Sequence, residues 1–321
     1  MSNSIWESID QTGKSCHGKM ECMEVTDVVI IGGGLCGLLC TWFLKDAGID
    51  CILLDKDQIA GGTSKGEMGQ VTSQHGLIYS QLLEREGEER ARMYLQANEL
   101  AIEKYRELAG KFACDFEERS SYIYSRNNRE QIEREVEVVN RLGKKAEFCE
   151  DVELPFDISG AIRFQGQAQL NPVKLMRGLV KELEGCRNVH IYEEIEIDDW
   201  LETAVWCKRR VVVADYMVCA TQYPFYKKLG KYDRKLHLEE SYILALENAQ
   251  KLNGMYSDAD KGGLSFRSYG DLLFMAGGMR RMESGDKKDM QGWKALREEA
   301  EQYYPNAKER AAWRKIGRAH V

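Results

Sequence analysis

Proline is scarce in this chain, with four residues in 321, and no two of them are adjacent. That excludes a proline-rich linker, and no repeat or low-complexity tract takes its place. Long apolar runs are also missing. The longest, Val28 to Cys40, is interrupted by four glycines and falls short of the roughly 20 residues that cross a bilayer as a helix. The first 25 residues are polar and carry Asp10, Lys14 and His17, which is not the make-up of a signal peptide, so a cytoplasmic location is the expectation. Histidine is rare, and its five copies show no zinc-ligand spacing. None of the ten cysteines forms a CxxC pair, which points to buried, reduced thiols. An excess of positive charge is lacking as well: 45 basic against 52 acidic side chains leave a net charge of −7 and disfavour nucleic acid as the main partner.

What is present is a globular composition, 43% hydrophobic and 30% charged, on a chain long enough for two lobes. Thr26–Ile31 (TDVVII) reads as a short buried parallel strand, Leu35–Ala47 as a helix ended by Gly48, and Asp50–Leu54 as a second buried strand. Strand, helix and strand within about 30 residues make a βαβ unit. Between the first two lies Gly32-Gly33-Gly34-Leu35-Cys36-Gly37, a G-x-G-x-x-G motif at Gly32, Gly34 and Gly37, and Asp55 ends the second strand. In that setting the motif is specific for a dinucleotide. Gly32 permits the tight turn, Gly34 lets backbone approach a pyrophosphate, and Gly37 lets helix and strand pack closely. The helix N-terminus supplies free N–H groups and partial positive charge. The Asp55 carboxylate suits two ribose hydroxyls and repels a 2′-phosphate, which disfavours NADP. These residues alone do not separate FAD from NAD.

Further along, Glu84–Lys111 has a helical period, with Tyr94, Ala97, Ala101, Tyr105 and Leu108 on one stripe. Ser121–Ser125 alternates like a strand, and Asn128–Leu142 is helical with Gly143 as its stop. Phe156–Leu170 is strand-rich. Asn171-Pro172 caps a helix that buries Leu175, Met176, Leu179 and Leu183. Several strands follow between Val189 and Cys219, then at Ser241–Leu246, Gly263–Tyr269 and Leu272–Ala276, and a helix at Trp293–Tyr304. The alternation suggests two interleaved lobes.

Val28–Gly37, the acidic end of the second strand, Gly61–Ser64 and Thr72–Gly76 together resemble the D-amino-acid oxidase/glycine oxidase-type FAD-dependent oxidoreductases. Ala168–Pro172, Ala214–Thr221, Ser265–Arg267 and Leu272–Gly278 extend the resemblance over about residues 26–314. It implies an α/β fold: a Rossmann-like FAD-binding lobe (26–111, 167–230 and 291–314) and an interleaved α+β substrate lobe (112–166 and 231–290) on a mainly antiparallel sheet, after an N-terminal arm of residues 1–25. The implied FAD site takes in Gly32, Gly34, Leu35, Cys36 and Gly37, then Asp55 and Lys56, then Gly62, Thr63 and Ser64. Thr72, Ser73, Gln74 and His75 follow, with Ile197 near the adenine and Ala220 and Thr221 along the crevice. Where the family has glycine after Ala220-Thr221, this chain has Gln222-Tyr223-Pro224-Phe225, similar to a bacterial subgroup whose oxidase-like module precedes a Rieske [2Fe-2S] domain. The chain has no Cys-x-His pair of Rieske type, so such a cluster is expected only on a further C-terminal domain. Met279-Arg280-Arg281 after Gly277-Gly278 also departs from the subgroup.

The resemblance implies oxidation of a C–N bond in a small-molecule amine or amino acid by hydride transfer to the flavin, with the electron acceptor left open. Arg267 is the candidate for a substrate carboxylate, since a guanidinium pairs with it bidentately; it reads equally as an ordinary ion pair. Tyr269 shares its strand face and reads as a substrate hydrogen-bonding group or a core tyrosine, and His75 as a neighbour of the flavin ring or a structural histidine. No metal site is expected on this chain. An NAD-linked dehydrogenase and a non-catalytic fragment are the alternatives. Ile316–Val321 back-translates to a common sequencing-adaptor read, so residues 315–321 are expected to be a non-native tail on a truncated lobe.

Overall fold

The valine–isoleucine run ending at Ile31 lies inside a sheet, with its last four residues buried. The computed structural model describes residues 4–6, 20–223, 235–260, 262–282 and 291–320. In chain order the elements are β1 (Met23–Ile31), α1 (Leu35–Asp46), β2 (Cys51–Leu54), a 3-10 turn (Thr63–Gly66), β3 (Gln70–Val71), α2 (Ile78–Glu86), α3 (Glu88–Lys111), β4 (Glu117–Ser125), α4 (Arg129–Leu142), β5 (Ala146–Cys149) and β6 (Gly160–Gln169). They continue with α5 (Pro172–Leu183), β7 (Val189–Tyr192), β8 (Asp199–Leu201), β9 (Ala204–Cys207), β10 (Arg210–Cys219), β11 (Leu236–Glu247), β12 (Met255–Asp258), β13 (Ser265–Tyr269), β14 (Leu272–Arg281), α6 (Gln291–Tyr303) and β15 (Lys308–His320).

Two sheets result. The first has six strands in the order β7-β2-β1-β10-β9-β8. Strands β7, β2, β1 and β10 run parallel, and β10, β9 and β8 form an antiparallel meander. The second has nine strands in the order β15-β11-β14-β13-β12-β4-β6-β3, with β5 beside β6. All its pairings are antiparallel except β12 with β4.

Strand alternation explains how the sheets share a core. Val28, Ile30 and Leu53 from the first sheet and Ile243, Ala245, Phe274 and Trp313 from the second belong to one buried cluster with α1 and α5. The other faces build separate clusters. Tyr242, Leu244, Phe266 and Met275 pack with Leu296 of α6, and Ile123, Ile162 and Phe164 with α2, α3 and α4. The seam between the sheets is therefore largely apolar, and each large apolar side chain it hides contributes about 1.5–3 kcal/mol.

Several departures from the sequence reading are instructive. The single helix expected at 84–111 is two helices, because Gly87 takes a φ of +84° that breaks the run. The buried line of α3 is Ala91, Leu95, Ile102 and Leu108, while Ala97 and Ala101 are exposed. Leu95 and Ile102 hide more apolar area than the alanines of the anticipated stripe and so set which face turns inward. Residues 291–314, assigned to the dinucleotide lobe, lie instead with the nine-stranded sheet: α6 packs on β14 and β11, and β15 pairs with β11 from Lys308 to His320. That strand runs without a break across the 314/315 boundary. Of the arm at 1–25, residues 4–6 are not solvated: Ser4, Ile5 and Trp6 are all buried. Pro224 and Phe225 lie outside the described residues. Among the described residues, no helix is long and apolar enough to cross a membrane.

The cap at Asn171 holds the entry to α5. Its Oδ1 accepts hydrogen bonds from the Val173 and Lys174 backbone N–H groups, both at 3.1 Å, and the residue is fully buried. Asn171→Ala is expected to cost about 2 kcal/mol, the upper range for a cap, measured by urea unfolding. A loss under about 0.5 kcal/mol would mean that α5 is held by packing alone.

Candidate active site

The turn after β1 is shaped by what its glycines touch. Gly32 has a φ of +108°, and a Cβ there would sit 2.9 Å from the carbonyl carbon and oxygen of Ala220. The Ala220 N–H donates to the Ile31 carbonyl at 2.8 Å, so β10 ends against the turn and brings Thr221 with it. A Cβ on Gly37 would lie 1.9 Å from the Gly32 carbonyl oxygen, so α1 can seat on the turn only without one. Gly34 differs from both. Its Cβ would meet one atom, Ser64 Oγ, at 3.1 Å.

Gly34 is the N-cap of α1 and brings no side-chain cap, and the first helical turn holds no acidic residue. Ser64 Oγ, from the 3-10 turn, accepts from the Leu35 N–H at 3.2 Å. The start of α1 thus keeps donor N–H groups and its partial positive charge for an anion. Gly62, next to this turn, has nothing within 4 Å of where its Cβ would be. Cys36 is exposed on the first turn of α1, and Leu35 packs inward.

Asp55 is tied to the same turn. Its Oδ2 accepts from the Gly33 N–H at 2.6 Å and its Oδ1 from the Asp57 N–H at 2.8 Å. A carboxylate has lone pairs beyond these two bonds, enough to accept from vicinal ribose hydroxyls. The strand end is fixed from outside by β7, where the Asp55 N–H donates to Tyr192 O at 3.0 Å. Ile197 packs with Trp200 and Met217 on the cluster containing Ile31 and Leu54. Lys56 is a surface residue 3.9 Å from the Asp57 carboxylate, with 75% of its side chain exposed. Thr63 Oγ1 donates to Gln222 Oε1 at 2.9 Å, and Gln222 Nε2 donates to the Ile316 carbonyl at 2.8 Å. The residue that replaces the family glycine therefore bridges the 3-10 turn to β15.

The Thr72–His75 segment lies differently from the sequence expectation. Ser73 and Gln74 are buried and spent on internal bonds: Ser73 N–H and Thr72 Oγ1 both donate to Gln167 Oε1, at 2.7 and 3.0 Å. Ser73 Oγ donates to Glu99, and Gln74 Nε2 to the Ile162 carbonyl at 3.2 Å. These groups hold the segment onto β6 and α3. His75 Nδ1 lies 2.9 Å from the hydroxyl of Tyr94 on α3. The ring is solvent-accessible on one side. Desolvation on the other lowers its pKa below the ordinary imidazole value, against a hydrogen bond at the Thr72 backbone that raises it.

Arg267 needs a correction too. It is completely buried, and its guanidinium donates to backbone: Nη1 to Gly69 O at 3.0 Å, and Nη1 and Nη2 to Leu170 O at 3.4 Å. The rings of Phe274, Trp6 and Tyr269 surround it at 5.4, 5.6 and 5.7 Å. Burial lowers its pKa to about 9, opposed by Tyr269 and Glu117. Placed this way, the guanidinium is a strut inside the seam: its Nη atoms reach backbone, its Nε is buried without a hydrogen-bond partner, and no edge of it reaches solvent. The Tyr269 hydroxyl is likewise engaged, donating to Asp115 and accepting from Asn171 Nδ2 at 3.2 Å. Burial, then the Asp115 carboxylate, raises its pKa. Arg267 and Tyr269 are brought together, whereas His75 pairs with Tyr94 of another core cluster.

Two indoles went unanticipated. Trp6 Nε1 donates to Glu67 O at 2.9 Å, and Trp313 Nε1 to Gly66 O at 3.0 Å. The only sequence signal for Trp6 is a tryptophan flanked by isoleucine in an otherwise polar segment.

A largely parallel sheet with a glycine turn, an open helix N-terminus and an acidic strand end, set against a large, mainly antiparallel sheet, defines a two-sheet fold of the dinucleotide-binding type. The FAD dependent oxidoreductase (DAO) family model matches residues 27–318, and the chain belongs to that family. A protein named as a Rieske 2Fe-2S iron-sulfur protein, YhfW of Bacillus subtilis (strain 168), is 27% identical over 289 residues, covering 86% of this chain and 56% of its own length. The chain thus spans little more than half of that relative. Among solved structures, glycine oxidase from Geobacillus kaustophilus superposes with a TM-score of 0.70 at 17% identity, over 92% of this chain and 84% of that one. L-amino acid deaminase from Proteus vulgaris does so with a TM-score of 0.71 at 13% identity, over 95% and 86%. These similarities establish the fold.

Gly34→Val is expected to abolish FAD binding, because its side chain enters the space in front of Ser64. Asp55→Ala is expected to weaken binding by roughly 1.5–3 kcal/mol, the scale of hydrogen bonds to a charged group. Fluorescence titration of each variant with FAD checks both, and parent-like affinity in the two would place the site elsewhere.

Proposed function

We propose that this chain binds FAD and oxidises the C–N bond of a small amine or amino acid. The observation that carries the reading is the uncapped start of α1 at Gly34, flanked by Ser64 and Asp55, in a chain that belongs to an FAD-dependent family. The N–H groups at the start of α1 and Ser64 Oγ would hold the pyrophosphate, and Asp55 would hold the adenosine ribose. When bound, the flavin supplies the chemistry, accepting at N5 the hydride from the carbon that bears the nitrogen. The protein's share is to orient the substrate C–H and keep water out, and the seam shared by both sheets provides the dry wall. The oxidised product is an imine, which water hydrolyses to a carbonyl compound and ammonia or an amine.

Amino-acid chemistry is supported by the solved relatives named as glycine oxidase and L-amino acid deaminase. The electron acceptor is proposed from three classes: dioxygen, a quinone, or a [2Fe-2S] centre on a domain beyond this chain, as the name of the Bacillus relative suggests.

Anaerobic mixing of the FAD-loaded protein with a panel of amino acids and amines tests the reading. At least one is expected to bleach the flavin absorbance. Bleaching by dithionite alone, with none by any amine, contradicts C–N oxidation. Arg267→Met sharpens the test of substrate binding. With Arg267 as a strut, the preference for an amino acid over its decarboxylated amine should change less than about threefold. Loss of a carboxylate anchor would instead lower that ratio on the order of a hundredfold, the scale of a charge-assisted pair.

A further inference from the structure

The backbone between the phosphate-binding turn and β3 is held in an unusual way. Three of its carbonyls each receive a side-chain donor, and the donors come from three distant parts of the chain. Gly66 O accepts from Trp313 Nε1 at 3.0 Å, Glu67 O from Trp6 Nε1 at 2.9 Å, and Gly69 O from Arg267 Nη1 at 3.0 Å. Gly69 also presses on Leu170, where a Cβ would lie 2.2 Å from the carbonyl oxygen. None of these donors belongs to the βαβ unit.

Trp6 is the least expected of them. It lies six residues from the N-terminus yet is fully buried, edge-on to Tyr269 at 4.8 Å and to Phe274 at 5.3 Å, with Arg267 over its ring at 5.6 Å. Packing alone would be met by a phenylalanine or leucine. The indole N–H adds a directed bond to one peptide group. In a planar trans peptide the carbonyl and the following N–H point in opposite directions. A carbonyl of Glu67 drawn towards Trp6 therefore turns the Met68 N–H to the other side of the segment.

A dinucleotide with its adenosine ribose at Asp55 and its pyrophosphate at Gly34 must carry its second half away from Asp55. Ser64, which touches the start of α1, opens the segment that leads on to Gly69. We propose that Trp6 is a positioning residue for the flavin: its indole N–H sets the Glu67 peptide so that the Gly66–Gly69 backbone meets the ring system. This rests on the FAD reading above and deepens it, assigning to the N-terminal residues a part in cofactor binding.

The test uses the parent chain, Trp6→Phe and Trp6→Ala, stripped of flavin and titrated with FAD by fluorescence quenching. The melting temperature of each apo form and the visible spectrum of each FAD complex are recorded alongside. Trp6→Phe keeps the ring and loses the N–H. It is expected to melt within about 3 °C of the parent, to raise the FAD Kd about five- to tenfold, and to shift the flavin bands. Trp6→Ala should raise the Kd further. If Trp6→Ala does not fold, Trp6→Phe decides. A parent-like Kd and spectrum in Trp6→Phe overturn the proposal whatever the melting temperature, since a purely structural role lowers stability without touching the affinity of the folded protein. A parent that binds no FAD overturns the cofactor reading and this inference together. A parent that binds FAD beside an indifferent Trp6→Phe overturns the inference alone.

Discussion

Helix α1 begins without a side-chain cap from its own N-cap residue, and much of the surrounding structure keeps it so. Gly34 contributes no side chain, the first turn has no carboxylate, and Ser64 reaches one N–H only. An uncapped, half-buried helix start is unfavourable unless an anion or water completes it. The close approaches at Gly32 and Gly37, where an added Cβ would lie 2.9 Å from Ala220 and 1.9 Å from the Gly32 carbonyl oxygen, fix the helix axis on the end of β1 so that these N–H groups point at one place. β10 locks the turn from the far side through Ala220, and Asp55 locks it from β2. Three strands and one helix thus converge on the open start of α1.

The nine-stranded sheet gives this cradle a partner. One face of β11, β13, β14 and β15 turns Ile243, Arg267, Phe274 and Trp313 towards the seam, and the other turns Tyr242, Phe266 and Met275 towards α6. The seam face carries the buried Arg267 guanidinium with the rings of Tyr269 and Phe274 beside it and Trp6 of the N-terminal residues against it, and donors from this face and from the N-terminal residues grip the carbonyls of Gly66, Glu67 and Gly69. Burying the Arg267 charge is costly, as its lowered pKa of about 9 reflects. The cost is offset by three bonds to backbone and by the ring faces, and it fixes the register between β13 and the loop ahead of β3.

Much of this was legible in the sequence where the meaning of a residue is local. The glycines at 32, 34 and 37, the cap at Asn171 with Pro172, and the αL stop at Gly143 each read from their neighbours alone. What escaped depends on contacts between segments far apart in the chain. A strand pattern places Arg267 and Tyr269 on one face but says nothing of how deep that face lies, so a buried strut and a substrate anchor look the same. The resemblance places Ser73 and Gln74 in the FAD site, yet Gln167 and Glu99, 94 and 26 residues from Ser73, bond the serine, and the Ile162 carbonyl, 88 residues from Gln74, bonds the amide. Trp6 is illegible for the same reason: its burial is decided by Tyr269 and Phe274, over 260 residues later.

The cradle at Gly34 and Asp55 suits either dinucleotide, and the proposed preference for FAD rests on the family to which the chain belongs. Equilibrium dialysis of the purified chain against FAD and NADH in parallel, each at low micromolar concentration, tests it most directly. The account predicts retention of FAD, displaced by excess ADP, with NADH passing through. Retention of NADH with no uptake of FAD would contradict it.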